Sequence, residues 1–242
     1  MRLMAHVAAL SLTLLMTAGM LSSTLTAADS RTPESSITPN NRNPKRHDSF
    51  MARIKQGPVG LLFLGDSITD GWPGRSKETW AKFDAYHQAD FGVSGERTED
   101  VLWRITNGEL DGIDPKAVVI MIGTNNIGHF NEEKPEWVAA GVKKILEVVH
   151  EKLPKAKILL LGVFPRGATK DDGKRQKVDA INALIKEFND GKVVTYLDIG
   201  PKFLDAQGNL PKEIMPDALH PNAQGYQIWY DAMWPVLEPM LK

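Results

Sequence analysis

Leu61-Leu62-Phe63-Leu64-Gly65-Asp66-Ser67-Ile68-Thr69 is the stretch from which the rest of this chain is read. An uninterrupted apolar run of this length, closed by glycine, predicts a strand buried on both faces of a parallel sheet. Ligands of open α/β sheets sit outside the carboxyl ends of the strands. Ser67 therefore stands where a nucleophile is useful. Taken alone, Gly-Asp-Ser reads more readily as turn chemistry, with Asp66 or Ser67 capping a helix. The remainder of the sequence decides between the two.

On either side, apolar strands alternate with amphipathic helices. A short helix is predicted over Ser49–Gln56 and is stopped by Gly57-Pro58. Strands follow at Gly60–Leu64, Tyr86–Val93, Ala117–Ile122, Ile158–Phe164 and Val193–Leu197. Between them lie helical patterns over Thr79–Phe83 and Thr98–Thr106. A long helix carries Val138, Val142, Ile145 and Val149 on one face. Another carries Val178, Ile181, Leu184, Ile185 and Phe188, with Asp171 or Asp172 near its start. Asn222–Leu241 is predicted as a last helix bent at Pro235. This alternation predicts an α/β fold, a three-layer α/β/α sandwich with a mostly parallel central sheet.

The 242 residues are 42% hydrophobic and 24% charged, with a formal net charge of −1 and no long charged block. That balance gives no footprint for nucleic acid and none for electrostatic docking to a membrane. Cysteine is absent, which excludes disulfides, thiolate nucleophiles and Cys-ligated metals. No His/Asp/Glu group has metal-ligand spacing, so neither a metal nor a cofactor is expected.

The amino-terminal region divides in two. Arg2 and His6, the apolar Val7–Leu21 stretch and small residues up to Ala28 predict an export signal over residues 1–28, cleaved after Ala28. The apolar part is short for a membrane span and is interrupted by Ser, Thr and Gly. Residues 29–48 are polar and rich in Pro, Asn and Arg, which predicts a flexible linker without secondary structure. The catalytic domain is then expected over residues 49–242, in an exported protein, periplasmic or secreted, with no stable membrane insertion.

Polar clusters fall just after the predicted strands: Ser67, then Gly95, then Asn125 and Asn126. Asp217 and His220 precede the last helix. These are the parts of an acyl-transfer site. A serine hydroxyl needs a base to take its proton, and His220 suits that at neutral pH. Asp217, one turn away, can fix the tautomer and orientation of the imidazole. The backbone N–H groups of Gly95 and Ser67 and the amide of Asn125 can stabilise a tetrahedral oxyanion. The Gly-x-Ser-x-Gly elbow of α/β-hydrolases is absent.

Gly65-Asp66-Ser67, Gly95, Gly123-Thr124-Asn125-Asn126 and Asp217-x-x-His220 together resemble the ordered blocks of the SGNH (GDSL) esterase superfamily. Residues 91–98, 101–104, 107–110 and 164–167 are similar to the catalytic subunits of intracellular platelet-activating-factor acetylhydrolase, and the similarity runs from about Pro58 onward. The resemblance implies a flavodoxin-like fold with Ser67 as nucleophile and first oxyanion donor. It implies Gly95 and Asn125 as the other donors, His220 as base and Asp217 as its orienting partner. It also leaves a homodimer open, since related subunits dimerise. Asp90 departs from the Asn this group often carries before Phe-Gly, which bears on the turn presenting Gly95.

The expected activity is hydrolysis of short acyl esters, acetyl foremost, on a small-molecule or carbohydrate substrate, through an acyl-enzyme. The alternatives are a lipid esterase and a non-catalytic carbohydrate-binding module. For the remaining residues the plainer readings lead. Asn126 reads as structural support, His129 as an exposed loop residue, and Trp72, Trp80, Trp103 and Trp137 as core ahead of a sugar-stacking platform. Arg166 resembles a family position whose role is open to a structural ion pair.

Overall fold

The computed structural model describes residues 31–242, so the leader read at residues 1–28 lies outside them. Five strands are present: β1 (Leu61–Gly65), β2 (Gln88–Gly92), β3 (Ala117–Met121), β4 (Lys157–Leu161) and β5 (Val194–Leu197). All neighbouring pairs are parallel, and the spatial order is β2-β1-β3-β4-β5. The helices are α1 (Pro44–Ile54), α2 (Ser67–Asp70), α3 (Trp72–Arg75), α4 (Lys77–Ala81), α5 (Thr98–Thr106), α6 (Thr124–His129), α7 (Pro135–Lys152), α8 (Gly173–Ile185) and α9 (Ala223–Leu237).

Side chains alternate across a strand, and β1 shows what each face buries. Leu62 and Leu64 enter a core with Phe50 of α1, Val101 of α5, Val142 of α7 and Ile181 of α8. Leu61 and Phe63 enter a second core with Trp72 of α3 and with Tyr226, Trp229 and Met233 of α9. Every β1 residue is buried, which requires helices on both faces and gives the three-layer sandwich. Trp72 lies wholly in this second core, and Trp80 packs on Phe63 at 5.2 Å between ring centroids.

Three elements differ from the pattern-based reading. The helix predicted from Thr79 is the last of three short pieces, α2 to α4. Pro73, at the start of α3, lacks the N–H that would continue α2. The last helix runs through Pro235 to Leu237 and tightens into a 3-10 turn over Glu238–Leu241. The largest difference lies at residues 31–48. They are not a free linker but part of the compact unit that spans Arg31–Lys242. Ser36 is fully buried, and α1 begins at Pro44, with proline in the first turn where its missing N–H costs nothing. The segment has almost no apolar residue to bury, and its partners on the domain are mainly carboxylates and amides.

Asp90 sits in β2 without distorting the turn that follows, since its Oδ1 accepts the Gly92 N–H at 2.7 Å. Burial pushes its carboxyl up to about 7; Asp70 adds to this, while the Gly92 N–H, Arg46 and Arg104 oppose it. The folded protein therefore holds this proton between 3.8 and about 7, and the associated stability is lost as pH rises through that window. An amide keeps the acceptor and carries no charge. Asp90→Asn is expected to raise the thermal midpoint by a few degrees at pH 8 and by less at pH 5, read by differential scanning calorimetry at both.

Candidate active site

The carboxyl ends of three adjacent strands set the site. Gly65 pairs in register with Gly92 on one side and Met121 on the other. Chain continuing past that row delivers Ser67 from β1, Gly95 from β2 and Asn125 from β3. Gly65 is required by close approach, because a Cβ there would lie 2.2 Å from Thr69 Oγ1 and 2.5 Å from the Met121 carbonyl.

Asp66 is the N-cap of α2, its Oδ1 accepting the Ile68 N–H at 3.0 Å. The cap reading of Gly-Asp-Ser is thus correct for Asp66. Ser67, the first residue of the helix, keeps its hydroxyl free of the cap. Ser67 Oγ lies 2.9 Å from His220 Nε2, and His220 Nδ1 lies 2.6 Å from Asp217 Oδ2. Asp217 Oδ1 also accepts the Leu219 and His220 N–H groups at 3.1 and 2.7 Å. Ala218 between them takes φ +55, a left-handed conformation uncommon for a residue with a Cβ. That kink turns the loop back so that one carboxylate reaches both backbone and ring. Burial opposes ionisation of Asp217. Its bonds from the His220 N–H, the His220 ring and the Leu219 N–H prevail and hold the carboxyl below its usual range. Neither Asp217 nor His220 caps α9; that role falls to Asn222, whose Oδ1 accepts the Gly225 N–H at 3.1 Å.

Gly95 takes φ +78 in the turn closed by Glu96 N–H donating to the Val93 carbonyl at 3.2 Å. Asn125 is buried, and its Nδ2 donates to the Glu96 carbonyl at 2.9 Å. An amide nitrogen carries two hydrogens. The bond to Glu96 fixes the side chain and leaves the second hydrogen available. Among the described residues, the Ser67 and Gly95 N–H groups donate to no other group. The arrangement can present three donors to one oxygen beside a serine hydroxyl already bonded to an imidazole.

Asn126 faces away from this hole. Its Oδ1 accepts the Thr98 N–H at 3.1 Å, and its Nδ2 lies 3.1–3.2 Å from Thr98 Oγ1, Ser36 Oγ and Glu99 Oε2. Arg166 forms no ion pair among the described residues. Its Nη1 donates to the Thr124 carbonyl and hydroxyl at 2.6 and 3.1 Å, next to Asn125, while the adjacent Gly167 N–H donates to the Ala218 carbonyl at 2.9 Å. Residues 166–167 therefore tie the Asn125 turn to the His220 loop, a role that no local sequence signal carries. Exposed His129 is held below its usual pKa by its partial burial, then by Arg97, Arg42 and Arg166.

Residues 63–228 match the family model of the GDSL-like lipase/acylhydrolase family. The platelet-activating factor acetylhydrolase IB subunit alpha1 of Bos taurus is 34% identical over 201 residues, covering 82% of this chain and 84% of the relative. A GDSL-like lipase from Bacteroides thetaiotaomicron superimposes with a TM-score of 0.66 at 21% identity, covering 80% of this chain and 97% of that one. An acetylxylan esterase from Geobacillus stearothermophilus gives a TM-score of 0.59 at 21% identity, covering 73% and 93%.

The short bond between His220 Nδ1 and Asp217 is expected to give a proton resonance well downfield of the amide region. Asp217→Ala is expected to abolish it, as read by one-dimensional proton NMR at low temperature.

Proposed function

The chain belongs to the GDSL-like lipase/acylhydrolase family, and from that premise we propose an exported serine esterase that releases short acyl groups, acetyl foremost, from carbohydrate-borne esters. The observation that carries the mechanism is the chain of two hydrogen bonds from Ser67 through His220 to Asp217. His220 Nε2 takes the Ser67 proton as Oγ attacks the ester carbonyl. Asp217 stabilises the imidazolium that forms. The oxyanion is received by the Ser67 and Gly95 N–H groups and Asn125 Nδ2, each donor contributing about 3 kcal/mol. His220 then protonates the departing alcohol, leaving an acyl-Ser67. A water activated by the same imidazole attacks this ester, and its collapse returns the carboxylic acid and free Ser67.

The acetyl assignment is supported by the names of two relatives, an acetylhydrolase and an acetylxylan esterase. A carbohydrate alcohol is supported by the name of the acetylxylan esterase neighbour. Export is supported by the sequence of residues 1–28. A second reading, a lipid acetyl ester, is favoured by the name of the acetylhydrolase relatives. The two readings share the chemistry and differ in the alcohol.

Hydrolysis of p-nitrophenyl acetate tests the mechanism. Ser67→Ala and His220→Ala are each expected to lower kcat by about 10⁵–10⁶-fold, and Asp217→Ala by about 10²–10³-fold. The milder loss follows from the exposure of the Asp217 side chain, 55%, which lets water take its place at Nδ1. An active Ser67→Ala protein would overturn the assignment. For the substrate, kcat/KM is expected to fall steeply from acetate to octanoate esters and to favour acetylated xylo-oligosaccharide over an acetyl glycerophospholipid. The reverse order would establish the lipid reading.

A further inference from the structure

We propose that residues 31–43 form a strap that positions the oxyanion loop, with Arg42 and Ser36 as positioning residues for the ester hydrolysis proposed above, on which this inference rests. The strap meets the loop after β2 at its Arg42–Asn43 end and the first turn of α5 farther back. Arg42 Nη1 donates to the Gly95 carbonyl at 3.4 Å and to Asp100 Oδ2 at 3.3 Å. Asn43 Nδ2 donates to Glu96 Oε1 at 3.2 Å, and Asn40 N–H donates to the Glu99 carbonyl at 3.0 Å. Farther back, the Ser36 carbonyl accepts Thr98 Oγ1–H at 2.9 Å, and Ser36 Oγ accepts from Asn126 Nδ2 at 3.2 Å while donating to Glu133 at 2.5 Å.

These contacts reach both sides of the hole. Arg42 and Asn43 grip Gly95 and Glu96. Glu96 in turn offers its carbonyl to Asn125 Nδ2. Ser36 grips Asn126, the residue after Asn125, together with Thr98. One polar segment thus links the Gly95 turn to the Asn125 turn from behind.

Arg31 anchors the far end. Its guanidinium lies 2.6 Å from Glu99 and 2.5 Å from Glu133, carboxylates that are almost wholly buried. Among the described residues Arg31 is the one cation paired with Glu133, so lifting the strap takes away the ion-pair partner of that carboxylate. Removing one partner of a buried pair is strongly unfavourable. The strap is therefore held down by electrostatics, and Ile37, its one large hydrophobic residue, is exposed.

A positioning role predicts a loss in the transition state and not in the substrate complex. The Arg42 side chain is 39% exposed, so Arg42→Ala is expected to fold with a thermal midpoint near that of the wild type. For p-nitrophenyl acetate, its kcat is expected to fall about tenfold with KM within about twofold, the signature of a misplaced oxyanion donor. The inhibition constant of a boronic acid, which mimics the tetrahedral state, should rise in parallel with the fall in kcat. Arg42→Lys should recover part of both. Ser36→Ala supplies an independent second variant, and amide exchange over residues 93–97 should quicken in both alanine variants. Wild-type kcat and exchange in both variants would overturn the strap, as would a kcat loss with unchanged boronate affinity. A wild type without esterase activity would instead overturn the hydrolase reading, and the exchange of 93–97 would still decide whether the strap holds the loop.

Discussion

Gly65 lies between Gly92 and Met121 in one row of the sheet, and the functional geometry depends on that row. Each neighbouring strand ends at the same level, so Ser67, Gly95 and Asn125 leave the sheet side by side after two to four further residues. The close approach that excludes a Cβ at Gly65 keeps α2 against the strand ends. A wider approach would carry Ser67 away from the turn that bears Gly95. Register does what no single side chain can, since it converts positions distant in sequence into neighbours within a few ångströms.

Behind that row the protein buries an unusual amount of charge. Arg104 pairs with Glu96 at 2.8 Å and also with Glu109, and Arg97 lies 3.0 Å from Glu99. Burial drives the carboxyls of Glu96 and Glu109 upward, with Arg104 opposing it. Ion pairs of this kind contribute little net stability, because desolvation offsets the attraction. Their geometry is nevertheless demanding, since each partner must stay in place or leave a buried charge. The loop proposed to present the Gly95 N–H to a short-lived oxyanion benefits from that rigidity. An apolar cluster would tolerate slippage that this network does not.

The fold was legible because β1, β3 and β4 are apolar on both faces, and only a parallel sheet covered on both sides buries such strands. Ser67, Asp217 and His220 were legible because their chemistry and order are distinctive. The structure brings them into one hydrogen-bonded chain. The strap was not legible. Composition separates chain that can bury apolar area from chain that cannot, and residues 31–43 belong to the second kind. Their burial comes from matching individual donors to acceptors some sixty to one hundred residues away, as Ser36 does with Thr98 and Glu133. No periodicity records that matching. Arg166 stood out as a position but its role did not, for the same reason: its partner is a main-chain carbonyl at Thr124, and a backbone acceptor leaves no signature in sequence.

Asp66 shows how closely the surroundings of Ser67 are constrained. Its carboxyl is fully buried one residue before Ser67, and burial pushes it up to about 7, with the Ile68 N–H and Arg166 opposing and Glu96 reinforcing the shift. A carboxylate so close to the oxyanion of the proposed reaction would raise its barrier in proportion to its charge. Removing it would strip α2 of its cap and free the turn that aims Ser67. Burial eases the conflict: raised to about 7, the carboxyl stays neutral over more of the pH range, and Oδ1 accepts the Ile68 N–H. As pH climbs past about 7 the proton leaves, and Arg166 is then the nearby cation that offsets the new charge. The side chain that ties Thr124 to its place therefore also offsets charge on the residue that caps the Ser67 helix, which couples the shape of the site to its electrostatics.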